Sequence, residues 1–203
     1  MKHMLVVVSV GLATLAGCVS VLPEPSAPDA LYAIEADRAF AGLSADLIVR
    51  EPEAPRLVAG QGIVSQGSDG GLRLVPGVEW SGSATRQIQL AMIGSFETSE
   101  AGNALLPEHG VLAAYELASQ IRHFRLEGET AICEMLVSLV STQDRNLIAI
   151  ADVDSRKQAV SSAASDRALA LRDAASDCAA SAAQFAIDAL SAEDQATELL
   201  AAD

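Results

Sequence analysis

The apolar positions of this chain fall into two periods. In the middle they recur every second residue. Ala131, Cys133, Met135, Val137 and Leu139 occupy one phase, and Thr130, Glu134 and Ser138 dilute the other. That is the pattern of a strand over residues 129–142 with one covered face, Cys133 on it. Residues 112–126 are mixed. Tyr115, Leu117 and Ile121 alternate, but Phe124 and Leu126 fall on the opposite phase. A strand there needs a bulge or a swap of buried face near Arg122-His123, whereas the Ala, Glu, Leu and Gln content alone leans to helix. Glu127-Gly128 is placed to turn a hairpin, and residues 142–146 a second one into 147–151. Shorter strand-like runs come earlier, at 31–34 and at 47–50, the latter ended by Pro52 and Pro55. Two more, at 62–65 and 72–75, flank a turn with Asp69-Gly70, a hairpin signal. Pro76-Gly77 is expected to close the last of them.

The helical period appears twice. After Ser81 or Ser83, either of which can cap, Ile88, Ala91, Met92 and Ser95 share one face, with Leu90, Ile93 and Phe96 widening the stripe. The expected helix runs to about residue 98. Trp80, the only tryptophan, stands at its entry as a staple to the sheet. The second helix is expected over 166–190. Leu171, Ala175, Cys178, Ala182, Phe185 and Ala189 follow a 4-3-4-3-4 spacing, a seam rich in alanine that permits close packing. Residues 191–203 read as an acidic tail that frays.

The start of the chain has a different pattern. Lys2 and His3 precede residues 4–16, apolar apart from Ser9, Gly11 and Thr14. A spanning helix needs about 20 apolar residues, so this run reads as the apolar region of a signal peptide. It ends in Leu15-Ala16-Gly17-Cys18, which resembles the lipobox at which a bacterial signal peptidase cuts, leaving a lipid-bearing cysteine. Several acyl chains on Cys18 would hold stably where a single chain holds marginally. By analogy with such lipoproteins, Val19 rather than Asp after the cysteine favours the outer membrane, with the body facing the periplasm. Pro23, Pro25 and Pro28 then make residues 20–29 an extended tether, at about 3.1 Å per residue. The resulting organisation is a signal peptide at 1–17, a lipidated cysteine and tether at 18–30, one domain at 31–190 and the tail at 191–203.

Charge narrows the partners. With 27 acidic and 13 basic residues the chain carries a formal −14, which repels phosphate backbones and anionic headgroups. Nucleic acid and polybasic membrane binding are excluded. Half the residues are hydrophobic but only 3% aromatic, so the core is expected from Leu, Ile, Val and Ala. With Cys18 assigned to lipid, Cys133 and Cys178 remain. An oxidising compartment permits a disulfide between them, and buried free thiols are equally compatible.

Catalytic chemistry finds no footing. There is no Gly-x-Ser-x-Gly elbow, no His-Glu-x-x-His and no Cys-x-x-Cys. His109 and His123 have no nameable nucleophile or orienting partner. Gly60 to Ser65 lacks the third glycine and the following helix of a phosphate loop. No catalytic residue, metal or cofactor is expected.

Taken together, several features resemble one family. They are Cys18, the Leu22-Pro23-Glu24-Pro25 tether followed by Leu31-Tyr32, and Gly77-Val78-Glu79-Trp80 before a helix. Tyr115-Glu116-Leu117 leading to Ile121-Arg122-His123-Phe124, the apolar strand after it and a late Ala-rich helix complete the set. In order and spacing they resemble the ABC-type transport auxiliary lipoproteins, the PqiC and LetC group that works with MCE-domain lipid transport systems. The resemblance makes residues 112–126 a strand. It implies an α+β domain, a mostly antiparallel sheet with two main helices packed on one face. It also implies an MCE-domain protein and an ABC permease and ATPase as partners, phospholipid or another hydrophobic cargo, and allows a homo-oligomer. The chain departs from the family in its few aromatics and in aliphatic Val153.

Overall fold

A computed structural model describes residues 27–201. The long strands form as the alternation requires. Here β6 is Tyr115–Glu127, β7 is Thr130–Ser141 and β8 is Leu147–Gln158, paired antiparallel in that order. Ala131, Cys133, Met135, Val137 and Leu139 are all buried on the covered face. The β6–β7 register shifts between Ile121 and His123. That bulge returns Phe124 and Leu126 to the face of Leu117 and Ile121, and all four are buried. Gly128, at a φ of 60°, takes the left-handed conformation that the β6–β7 turn demands.

The other strands are β1 (Ala30–Tyr32), β2 (Leu47–Val49), β3 (Gly62–Gln66), β4 (Leu72–Trp80) and β5 (Ala104–Leu105). Pro76-Gly77 does not close β4. The strand bends there, with Gly77 at a φ of 77°, and continues so that residues 78–80 pair with β1. The sheet runs β1-β4-β3-β6, with β7 and β8 beyond β6 and with β2 and β5 along the Tyr115 end of β6.

The α+β class is as expected, but the sheet is mixed and not mostly antiparallel. Four of its seven pairings are parallel: β1–β4, β2–β5, β2–β6 and β3–β6, beside three antiparallel ones. Parallel neighbours are joined by long crossovers and leave no turn signal between them, so alternation and hairpin residues reveal only the antiparallel part.

A four-residue turn of helix, α1 (Arg56–Ala59), precedes β3. The two main helices are α2 (Ala84–Gly94) and α3 (Ala164–Ala201). Ser83 caps α2, its hydroxyl accepting from the amide of Arg86 at 3.3 Å. Ile88, Ala91, Met92 and Ser95 are buried as expected, while Leu90 faces solvent. Two buried glutamines fasten α2 sideways. Gln87 accepts from the Ile34 amide at 2.7 Å, and Gln89 donates to the Val49 carbonyl at 2.8 Å, so backbone groups beside β1 and on β2 are satisfied.

Helix α3 crosses β6, β7 and β8 and packs against α2. Ala168, Leu171, Ala175, Cys178, Ala182 and Ala186 are fully buried in one core with the inward face of the sheet. Small residues allow that close approach. The helix continues to Ala201, well past the expected end at 190, and the tail is helical where fraying was expected. The opposite face of β6–β8 is open. It carries a polar ladder in which Arg122 meets Asp152 at 2.6 Å and Glu134 joins His123 and Arg156. No described helix is long and apolar enough to cross a membrane.

Candidate functional site

Strand directions give the domain two distinct ends. β3 is parallel to β6 at Leu126–Glu127, β4 is antiparallel to β3, and β1 is parallel to β4. β1 therefore runs antiparallel to β6, and the chain enters the sheet from the Glu127 end. Asp29 anchors that entry, its amide donating to the Gly77 carbonyl at 2.8 Å. Helix α3 starts at the same end and finishes near Tyr115.

The sequence-predicted positions separate. Cys18, with Leu15, Ala16 and Gly17, lies outside the described residues. Cys133 and Cys178 are brought together where α3 crosses β7. Both are fully buried free thiols, and Cys178 Sγ donates to the Cys133 carbonyl at 3.2 Å. Burial pushes the Cys133 thiol up, and the neighbouring Cys178 adds to this. His123 is exposed in the open-face ladder, 3.7 Å from Glu134, and His109 is exposed in the 3-10 turn Pro107–His109. His123 pairs opposite Glu134, one position from Cys133 but on the other face of the sheet, and His109 lies apart from both. Among the described residues no group of three His, Cys, Asp or Glu side chains is placed to hold a metal.

The Glu127 end holds a cleft of about 1110 Å³ lined by Gln66, Arg73, Glu127, Gln158 and Arg167 among other polar residues and glycines. Some of its charges are paired with neighbours, while the Nε of Arg167 is buried without a hydrogen-bond partner. Arg73 pairs with Asp69 at 2.5 Å, and Arg125 beside it bonds Glu127 at 2.6 Å and Gln66 at 2.9 Å. A wall of this kind presents polar groups that an acyl chain would have to desolvate.

The Tyr115 end has a different character. Thr142 at the end of β7 holds the segment before β6. Its hydroxyl donates to the Ala113 carbonyl at 2.6 Å, and its amide donates to the Ala114 carbonyl at 2.9 Å. Ala113 is buried by this, and Leu112 is thrust outward, 99% exposed, beside Val111 at 45%. Leu147, opposite Val140 across the β7–β8 ladder, is 56% exposed. A fully exposed leucine on a hydrogen-bonded segment keeps its apolar surface in water at a cost, the mark of a contact surface. Acidic groups lie near Tyr115 at this end. Burial, and after it Glu193, Asp194 and Asp144, push the Tyr115 hydroxyl up, so these three carboxylates converge on this end. Sequence reasoning missed Val111, Leu112, Thr142 and Leu147. The exposed pair sits inside a run that reads as strand, and only the tertiary bond to Thr142 shows that it does not pair.

Residues 30–183 match the model of the family described as the ABC-type transport auxiliary lipoprotein component. No curated protein matches the chain. Among solved structures, protein XCC0632 from Xanthomonas campestris, described as a DUF330 family member, is similar at a TM-score of 0.66 and 18% identity. The match covers 83% of this chain and 98% of that one. A second, described only as an uncharacterized protein, is similar at a TM-score of 0.59 and 13% identity, over 78% and 99% of the two chains. These two share the fold. The family match spans most of the chain, which belongs to the ABC-type transport auxiliary lipoproteins, the family its sequence resembles.

Proposed function

We propose that this auxiliary lipoprotein is the docking subunit of an ABC transporter of the MCE type, which moves phospholipid or another hydrophobic molecule between the inner and outer membranes. Cys18 carries the lipid and holds the domain on the outer membrane, facing the periplasm. The proline-bearing stretch before Ala30 spaces the body from the bilayer. A permease and ATPase in the inner membrane supply the work, and an MCE-domain protein bridges to this chain. The subunit performs no chemistry of its own.

The observation that carries this reading is the family match over residues 30–183 directly behind Leu15-Ala16-Gly17-Cys18. The polar residues and glycines that line the cleft at the Glu127 end favour docking over carriage of cargo inside the domain. The test has two arms. Cells grown with radiolabelled palmitate are expected to label the wild-type chain and not Cys18→Ser. The tagged full-length chain is expected to co-purify with the MCE-domain protein encoded in the same cells. An unlabelled wild-type chain refutes the anchor, and repeated isolation without the MCE-domain protein refutes the assignment to such a transporter.

A further inference from the structure

We infer that the Tyr115 end, formed by Val111, Leu112 and the last turns of α3, is the surface that grips the transport partner. Its occupant is a protein segment in which apolar side chains are flanked by lysine or arginine. The inference rests on the docking role proposed above and adds where the contact lies and what chemistry it demands.

Three observations point this way. The first is polarity of the fold. The chain enters β1 from the Glu127 end, so the Tyr115 end is the one opposite that entry. The second is the fixed display of Leu112. Two bonds from Thr142 hold the carbonyls of the next two residues, Ala113 and Ala114, so the backbone beside Leu112 needs little ordering on contact.

The third is charge. From residue 173 to the end of the chain there is no Lys, Arg or His, while Asp188, Glu193, Asp194 and Glu198 follow in α3. The last turn of α3 holds no basic residue, yet the C-terminus of a helix is its negative pole and favours cations. Glu198, in that last turn, opposes the helix dipole, and a basic partner offsets it together with the acidic groups before it. An anionic bilayer is repelled by the same charges, which argues against a membrane as the occupant of this end.

Binding of the purified full-length chain, in detergent, to the purified MCE-domain protein tests the inference. Leu112→Asp, and Asp194→Lys combined with Glu198→Lys, are each expected to weaken binding by about tenfold or more. Leu72→Asp, at an exposed leucine of the Glu127 end, is expected to leave it unchanged. Wild-type affinity is expected to fall as salt rises. All substitutions lie at exposed positions, and thermal melts matching wild type establish that each variant is folded. Wild-type binding that both variants retain overturns this inference and leaves the docking role standing. Wild-type chain that does not bind at all removes the docking role, and the inference falls with it.

Discussion

The indole of Trp80 stacks on the ring of Phe124, with ring centroids 5.7 Å apart and planes 20° from parallel. Trp80 closes β4 just before the α2 cap, and Phe124 follows the bulge in β6. The stack therefore joins two distant parts of the chain, and it exists only because the bulge turns Phe124 inward. Trp80 is fully buried, so Trp80→Ala is expected to cost about 3–5 kcal/mol in urea unfolding. Phe124→Leu, which keeps most of the volume, is expected to cost about 1 kcal/mol. As the only tryptophan, Trp80 should emit at short wavelength when native and shift red on unfolding. Native emission already at the solvent value contradicts this packing.

Cys133 and Cys178 resist modification while the fold is intact. With Cys18 replaced by serine, native protein is expected to take up no iodoacetamide over a time in which unfolded, unreduced protein takes up two equivalents. Unfolded protein that takes up none establishes a Cys133–Cys178 bridge. Because burial raises the Cys133 thiol, the native state stays protonated where the unfolded chain ionises. Its stability is complete below the ordinary thiol pKa and declines as pH rises above it, by roughly 1.4 kcal/mol per pH unit from this group. Cys133→Ala is expected to flatten that alkaline slope. An unchanged slope assigns it to other groups.

Asp177 on α3 gathers Lys157 at 2.5 Å, the Ser155 hydroxyl at 3.0 Å and the guanidinium of Arg38. Burial alone pushes its carboxyl up. The hydrogen bonds from Lys157 and Ser155, with the charges of Lys157 and Arg38, outweigh this and hold it below the usual aspartate range. The stability it contributes is present above the unfolded-state pKa and lost as pH falls through the depressed native one. Asp177→Asn is expected to cost about 1 kcal/mol at pH 7, read as a lower urea midpoint. The difference from wild type should vanish in strong acid. A difference that persists there is not electrostatic.

Thr142 is the pin of the proposed docking end. Thr142→Val keeps the shape and removes the hydroxyl that bonds the Ala113 carbonyl. A loss of about 1 kcal/mol is expected. Hydrogen exchange should quicken at the amides of residues 111–114 while the β7 core keeps its protection. Equal quickening throughout β7 means that the hydroxyl supports the strand as a whole.

Much of this molecule was legible in one dimension because strands and helices bury one face, and burial writes its period into the sequence. The alternation of Ala131 to Leu139 gave β7, the phase slip between Ile121 and Phe124 allowed the bulge that the structure shows, and the spacing from Leu171 to Ala182 gave the buried stripe of α3, which continues through Ala186 and Leu190 while Phe185 and Ala189 are half-buried. Family membership was legible for the same reason, since the order of such elements is what the family shares.

Other features were decided only in three dimensions. That β2 and β3 both lie parallel to β6 follows from crossovers, which carry no local turn residue, so the mixed sheet was not to be read from alternation. Pro76-Gly77 looked like an end because proline cannot donate to a ladder, yet pairing with β1 carries β4 past it. The far end of the domain was hidden most completely. Leu112 is one more apolar residue in an apolar run until Thr142, thirty positions later in the chain, binds the backbone beside it and leaves the side chain in water.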